Sequence, residues 1–412
     1  MTDSTFRLAY APCLALLRER VRDTAPGRIQ LLVGPRQVGK TTLLLELAAD
    51  LGPAARYAAM DGPEAALPGF WDRIWSEADA AVAAHRRAVV LLDEVHLLRD
   101  WAALLKGQWD RIWRRRTPIA VVATGSSSLR LGAGSKESLA GRFERLTLAH
   151  WTARDLADTF NVNAREAARI IVTHGGYPGA FALRGDRARW AAYVRDAILE
   201  PAIGRDLLAL GPVRKPALLR QVFGAAVASP ARVVSLAKIQ GQLQDPGALE
   251  TIAHYLALLE DAYLVAAVPK FSTRALRQRA APPKLVVLSH ALLAAADPQG
   301  PPALAADPAR FGAWVENACL AHAWNAGQQV RYWREEPLEV DAVIDGNWGS
   351  WAIEVKTGGV DLARLRGLAE FTRRFPRYRP LVLCDEGGVE AVRRAGLPAR
   401  LWADFLLGGP EE

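Results

Sequence analysis

The stretch Ile29-Gln30-Leu31-Leu32-Val33-Gly34-Pro35-Arg36-Gln37-Val38-Gly39-Lys40-Thr41-Thr42 decides the fold of this 412-residue chain. Ile29–Val33 is a short aliphatic run with the composition of a buried strand. Gly34 to Thr41 matches G-x-x-x-x-G-K-[ST] in full. A helix is expected from Lys40 to Asp50. The glycines let the backbone wrap tightly, so that its N–H groups turn toward phosphate oxygens. The helix start adds its positive end to that cradle. On this reading Gly34, Pro35, Arg36, Gln37, Val38, Gly39 and Thr42 line the loop, Lys40 holds the β- and γ-phosphates, and Thr41 ligates Mg²⁺. ATP and Mg²⁺ are the expected cofactors.

Working outward, the apolar run Ala88–Leu92 ends in Asp93-Glu94, 53 residues after Lys40. Asp93 is placed to reach the Mg²⁺ shell and Glu94 to polarise an attacking water. A further apolar run, Ile119–Ala123, leads into Thr124-Gly125-Ser126. Either Thr124 or Ser126 senses the γ-phosphate there, or the serines cap a helix. Arg142 is a candidate arginine finger offered to a neighbouring subunit, with an ordinary surface role as the alternative. Helices expected at Trp71–Ala84 and Leu97–Arg116, a weaker strand at Arg56–Met60 and a strand at Phe143–Leu148 complete an alternating pattern. The expected class is α/β, with a parallel sheet covered on both faces.

Helices dominate from Ala153 to about Ala209, broken by Gly175-Gly176-Tyr177-Pro178. Beyond Gly211-Pro212, three helices (Pro216–Val227, Ser235–Leu243, Gly247–Ala262) and a strand at Tyr263–Val268 outline a winged helix. Residues 205–284 carry 11 Lys/Arg against 5 Asp/Glu, so most of the chain's formal +8 lies here. That locality makes DNA the expected partner. The helix ending at Glu260 has no Lys or Arg, however, which leaves a protein-contact surface as the rival.

After the Pro/Ala-rich stretch Asp297–Pro308, a helix is expected at Ala309–Ala326. Strands follow at Arg331–Trp333, Glu339–Ile344 and Ser350–Val355, with a hairpin turn at Asp345-Gly346-Asn347. A helix at Asp361–Arg374 and a strand at Leu381–Cys384 close the unit. Glu354 and Lys356 share a strand face, and Asp341 lies on the preceding strand. With Glu316 from the helix, these acids and a strand carbonyl form a candidate Mg²⁺ site, Lys356 orienting water. A structural ion pair is the alternative.

Half the chain is hydrophobic and 23% is charged, which excludes a mostly disordered protein. Three widely spaced cysteines exclude a disulfide framework and a zinc knuckle. No apolar stretch is long enough to span a bilayer and no secretory signal is legible, so a cytoplasmic, membrane-free protein is expected.

The series Gly34–Thr42, Leu92-Asp93-Glu94-Val95-His96, Thr124-Gly125-Ser126-Ser127 and Glu137-Ser138-Leu139-Ala140-Gly141-Arg142 resembles the AAA+ ATPases of bacteria and archaea whose C-terminal half is a domain of unknown function. Gly175-Gly176-Tyr177-Pro178, Tyr255-Leu256-Ala257-Leu258-Leu259-Glu260, Tyr332-Trp333-Arg334, Glu339-Val340-Asp341 and Glu354-Val355-Lys356 extend the resemblance over nearly the whole chain. It implies a P-loop AAA+ core over residues 1–150, a helical lid over 151–210, a winged helix over 211–296 and a restriction-endonuclease-like domain over 297–412. One departure is visible: Pro283-Lys284 is kept, but Ser289 stands near an expected acid. The function expected is ATP hydrolysis driving conformational change in a homo-oligomer, a ring among the possibilities, that acts on DNA. The rivals are an ATP-gated nuclease using Asp341, Glu354 and Lys356, and a nucleotide-switched interaction scaffold.

Overall fold

A computed structural model of the chain describes residues 7–23, 27–125, 139–210, 213–244, 247–273 and 281–411. It divides into two compact units, the first ending at Ala149 and the second beginning at His150.

The first unit is built on a parallel sheet. Its described strands are β1 (Arg7–Leu8), β2 (Ile29–Val33), β3 (Ala55–Ala59), β4 (Ala88–Asp93), β5 (Ile119–Thr124) and β6 (Phe143–Leu148). They lie in the order β1-β6-β2-β5-β4-β3, every neighbouring pair parallel. Strands β2 and β4 are buried along their whole length, as expected when helices cover both faces of a sheet. The helices are α1 (Tyr10–Arg20), α2 (Lys40–Leu51), α3 (Phe70–His85) and α4 (Trp101–Arg115). Helix α2 buries Leu43, Leu44 and Leu47, one stripe at helical spacing. The α/β class and the parallel sheet read from the sequence are those the chain adopts. Helix α1 and the two-residue strand β1 were not legible in it.

In the second unit, the described helices from Ala153 to Leu210 include two π-helical segments, Val194–Leu199 and Ala202–Asp206. The next elements run helix (Pro216–Val227), β7 (Arg232–Val233), helix (Leu236–Gln240), helix (Leu249–Asp261), β8 (Val265–Val268) and β9 (Lys284–Val287). The three strands form an antiparallel sheet, β7-β9-β8. The second helix is shorter than the sequence suggested. The expected joint at Gln244–Gly247 falls partly outside the described residues.

A helix at Pro308–Asn325 leads into β10 (Gln329–Glu335), β11 (Leu338–Gly346) and β12 (Gly349–Lys356). The Arg366–Arg374 helix, β13 (Arg379–Cys384), the Glu386–Arg394 helix, β14 (Ala399–Leu401) and the Trp402–Gly408 helix follow. The sheet order is β10-β11-β12-β13-β14, antiparallel through β12 and parallel beyond it. The β11–β12 loop is Asn347-Trp348, one step later than expected, because Gly346 and Gly349 still pair. Phe271, Trp333, Phe371 and Tyr378 pack edge-on at the centre of this core. Main-chain bonds from Phe271 N–H to Tyr332 O (2.6 Å) and from Tyr332 N–H to Pro269 O (3.2 Å) join the chain beyond β8 to β10. The small sheet and the large one therefore share one unit.

Cys13, Cys319 and Cys384 are buried and free. Among the described residues no helix is long and apolar enough to cross a membrane.

Candidate functional site

The loop between β2 and α2 owes its shape to two glycines. A Cβ on Gly34 would lie 2.1 Å from the carbonyl oxygen of Leu148 at the end of β6, a backbone atom that cannot give way. Gly39 sits at φ +95°, a left-handed conformation costly for other residues. A Cβ there would also meet the Tyr10 ring at 3.3 Å, so α1 backs the loop. Gln37 is left-handed as well. No side chain caps α2, which leaves its N-terminal turn facing the loop as an anion site. Lys40 is buried, its Nζ donating to Gly34 O (3.2 Å) and Pro35 O (2.8 Å). Thr41 and Thr42 are exposed.

Asp93 ends β4 and is buried. Thr124 donates its hydroxyl to Asp93 Oδ1 and accepts the Glu94 N–H at 3.1 Å. Gly125 N–H donates to Leu32 O at 3.3 Å, so the end of β5 ties β2, which leads into the loop, to the acids at the end of β4. Tyr57 on β3 donates its hydroxyl to Asp93 Oδ2 at 3.0 Å. Burial, and then the Asp93 charge, hold the Tyr57 phenol well above its ordinary pKa, which keeps it a donor. Glu94 is left-handed at φ 51° and its Oε2 lies 3.2 Å from His96 Nδ1. Of the two expected sensor residues, Thr124 touches Asp93; Ser126 lies outside the described residues.

These side chains fit Mg-ATP. The uncapped start of α2 and Lys40 present positive charge at one edge of the sheet, where the Asp93 carboxylate is steadied from both sides by hydroxyls. Tyr57 was not singled out in the sequence, because it sits on the weakest strand and no motif contains it. Tyr57→Phe is expected to weaken Mg²⁺-dependent nucleotide binding by roughly tenfold or more, since a bond to a charged group contributes about 1.5–3 kcal/mol. Titration of a fluorescent ATP analogue with and without Mg²⁺ checks it; an unchanged Mg²⁺ dependence would make the tyrosine merely structural.

Arg142 sits elsewhere. It immediately precedes β6, and its carbonyl accepts the N–H of Ile29, the first residue of β2. It therefore stands at the edge of the sheet opposite the phosphate loop, a strand length of roughly 17 Å away. Its guanidinium pairs with Asp110 (2.9 Å), donates to Ala140 O (3.1 Å) and lies over the Trp109 ring.

The second cluster lies in the C-terminal sheet. Asp341 on β11 and Glu354 on β12 are buried together. Asp341 Oδ2 accepts the Val355 N–H (2.9 Å), and Glu354 Oε2 accepts the Asp341 N–H (3.3 Å). Lys356 Nζ is 2.5 Å from Glu354 Oε1 and 3.9 Å from Asp341 Oδ2. Glu316 joins them through Lys284, which the sequence marks only as part of Pro283-Lys284. Lys284 Nζ lies 2.7 Å from Glu316 Oε1, 3.1 Å from Asp341 O and 3.7 Å from Asp341 Oδ1. Burial opposes the Lys284 charge, yet Glu316 and Asp341 outweigh it and raise its pKa. Burial, and next Asp341, push both Glu316 and Glu354 upward. Lys284 thus donates into this oxygen set. Among the described residues no three His, Cys, Asp or Glu are placed to hold a metal.

Lys284 is delivered by asparagines. Asn317, next to Glu316, donates to Val287 O (2.8 Å) and accepts Val287 N–H (3.0 Å), while Asn325 donates to Leu288 O (3.0 Å). Asn317 also meets His290 Nε2 at 2.9 Å, and His290 Nδ1 contacts Val172 O at 2.6 Å. Burial pushes His150, His290 and His322 down to about 4. Because the unfolded histidines take protons near 6.5, these three contribute stability that is present above pH 6.5 and lost as pH falls toward 4. The raised pKa values of Glu316 and Glu354 oppose that loss. Histidine NMR should show these three rings neutral at pH 5.5; titration of any of them near 6.5 would refute it.

Residues 26–157 match the sequence model of a family described as an AAA domain. This stretch is an AAA domain. Beyond the AAA domain, residues 165–303 and 311–397 match two families described as domains of unknown function, DUF8612 and DUF4143. No curated protein matches the chain. Solved structures with partial likeness include Orc1 of Aeropyrum pernix in complex with DNA, at 15% identity and TM-score 0.29 over 72% of this chain and 94% of that one. The RuvB Holliday junction branch migration motor of Thermotoga maritima matches at 21% identity and TM-score 0.32 over 63% and 89%. AMPPCP-bound DnaA of Aquifex aeolicus matches at 13% and 0.33 over 63% and 92%. Likenesses this slight carry no argument about what this chain does.

Proposed function

We propose that this protein is an ATPase that hydrolyses Mg-ATP at its AAA domain to drive conformational change in a homo-oligomer acting on DNA. The observation that carries the reading is the meeting, at one edge of the parallel sheet, of Lys40 and the uncapped α2 with Asp93, Glu94, Thr124 and Tyr57. Lys40 neutralises phosphate charge, Thr41 and Asp93 hold Mg²⁺, and Glu94 takes the proton of the attacking water. Bound Mg²⁺ supplies charge neutralisation between the phosphates.

Assembly is supported by the far edge of the sheet. Arg142 cannot reach the phosphate loop of its own chain, so a catalytic role for it requires another copy. Beside it, Trp113 is 57% exposed and stacked on Trp109, an apolar surface suited to a neighbouring subunit. DNA is supported by the basic segment 205–284, whose helix–strand–helix–helix–strand–strand order is that of a winged helix. We read residues 151–210 as the lid, 211–296 as the winged helix and 297–412 as the restriction-endonuclease-like domain. A cytoplasmic location accords with this reading.

The test is ATP turnover as a function of protein concentration, with light scattering in parallel. Turnover should rise as the protein assembles, and Arg142→Ala should lose it by roughly a thousandfold without losing nucleotide binding. A fully active monomer would overturn the oligomer and the finger together. Binding without turnover at any concentration would leave a nucleotide-switched scaffold.

A further inference from the structure

The acids of the C-terminal sheet offer the donors a hard divalent ion would use, and a lysine from another sheet already donates to them. Two carboxylates and a strand carbonyl make such a set; here they are Glu316, Asp341 and the Asp341 carbonyl. All three face the Lys284 ammonium, two of them within hydrogen-bond distance and the Asp341 carboxylate at 3.7 Å. The fourth group, Glu354, is taken by Lys356. We propose that Lys284 is the resident cation of this cluster: its ammonium stands between Glu316 and Asp341 where a metal would have to sit, and it excludes divalent ions while it joins β9 to the β10–β14 sheet.

The argument rests on how firmly the lysine is delivered. A lysine on a loose loop would yield to an incoming dication. Lys284 instead opens β9, the central strand of its sheet, and is held on both sides in sequence. Two residues before it, Pro282 O accepts the Tyr332 hydroxyl at 2.6 Å. Three residues after it, Asn317 grips both polar groups of the Val287 backbone. Among the described residues the Lys284 side chain is only 8% exposed, so it is held inside the cluster and not at its rim. A dication entering beside it would meet two ammonium groups, Lys284 and Lys356, in a site with little water to screen them. Three carboxylates are already set against those two charges.

Mn²⁺ titration of the full chain, read by the paramagnetic resonance of the free ion, tests this away from the AAA domain when Lys40→Ala is the background. That background should bind no Mn²⁺ through Asp341, whereas adding Lys284→Ala should create one Mn²⁺ site per chain, lost again with Asp341→Asn. Asp341-dependent Mn²⁺ binding before Lys284 is changed would overturn the proposal, as would a Lys284→Ala protein that gains no site. Cutting of DNA in Mn²⁺ that Asp341→Asn or Lys356→Ala abolishes would overturn it equally. Should Lys284→Ala fail to fold, amine labelling of the unmodified chain decides: Lys284 should stay unlabelled in millimolar Mn²⁺, and labelling that rises with the metal refutes its residence.

Discussion

Glu94→Gln should lower ATP turnover by roughly a thousandfold, within the range that a positioned general base contributes, while nucleotide binding stays unchanged. The backbone holds Glu94 in place independently of its carboxylate, since its N–H donates to Thr124 and its φ of 51° places it in a tight left-handed step after β4. Glutamine keeps the length of the side chain and the path of the chain, and removes only the charge and the proton acceptor. The carboxylate also stands 3.2 Å from His96, a contact in which the substitution removes the charge of one partner. Phosphate release and fluorescent-nucleotide binding, measured on the same preparation, separate the two effects. Turnover at the parental rate would remove Glu94 from the chemistry.

The second large effect falls on stability. Asp341→Ala should cost the second unit about 3–5 kcal/mol, the loss expected when one partner of a buried ion pair is removed. The substitution leaves the Lys284 and Lys356 ammonium groups with less counter-charge and leaves the Val355 N–H without its acceptor. Asp341→Asn should cost less, because an amide oxygen can still receive the Val355 N–H. Urea unfolding followed by tryptophan emission measures both. A loss below about 1 kcal/mol for the alanine variant would mean a solvated cluster of the surface type, and the burial seen here would not describe it.

Much of the first unit was legible because its signals are local. Ile29–Val33 and Phe143–Leu148 were read to the residue, and Ala88–Asp93 and Ile119–Thr124 to within one, since strands buried on both faces leave a continuous apolar run. Helix α1 escaped because Arg18-Glu19-Arg20 interrupts its apolar face and because no motif marks it. Strand β14 has three residues, too few to show a period. The Gly175–Pro178 turn was noticed without a reason. The structure supplies one: a Cβ on Gly175 would lie 2.3 Å from Ala291 N, and one on Gly176 2.4 Å from Trp151 O, so backbone packs directly on backbone there.

The sites divide the same way. Gly34 to Thr42 and Asp93-Glu94, which we propose hold Mg-ATP, are legible in sequence because a phosphate-binding loop uses consecutive residues and their backbone N–H groups. Tyr57 and Lys284 could not. Each reaches its partner across a gap in sequence that only strand order closes, β3 beside β4 in one case and β9 beside the Pro308–Asn325 helix in the other. Lys284 was in view as part of Pro283-Lys284, but sequence ranks a lone lysine as surface, and its burial is a tertiary fact. By itself, then, the sequence determined the α/β class, the glycine-bearing loop after β2 and the acids at the end of β4, through patterns set within a few residues. Only the tertiary structure decided which hydroxyls steady Asp93, which edge carries Arg142 and which cation sits among Glu316, Asp341 and Glu354. Those are long-range contacts, made when separate strands are brought together, and no local pattern encodes them.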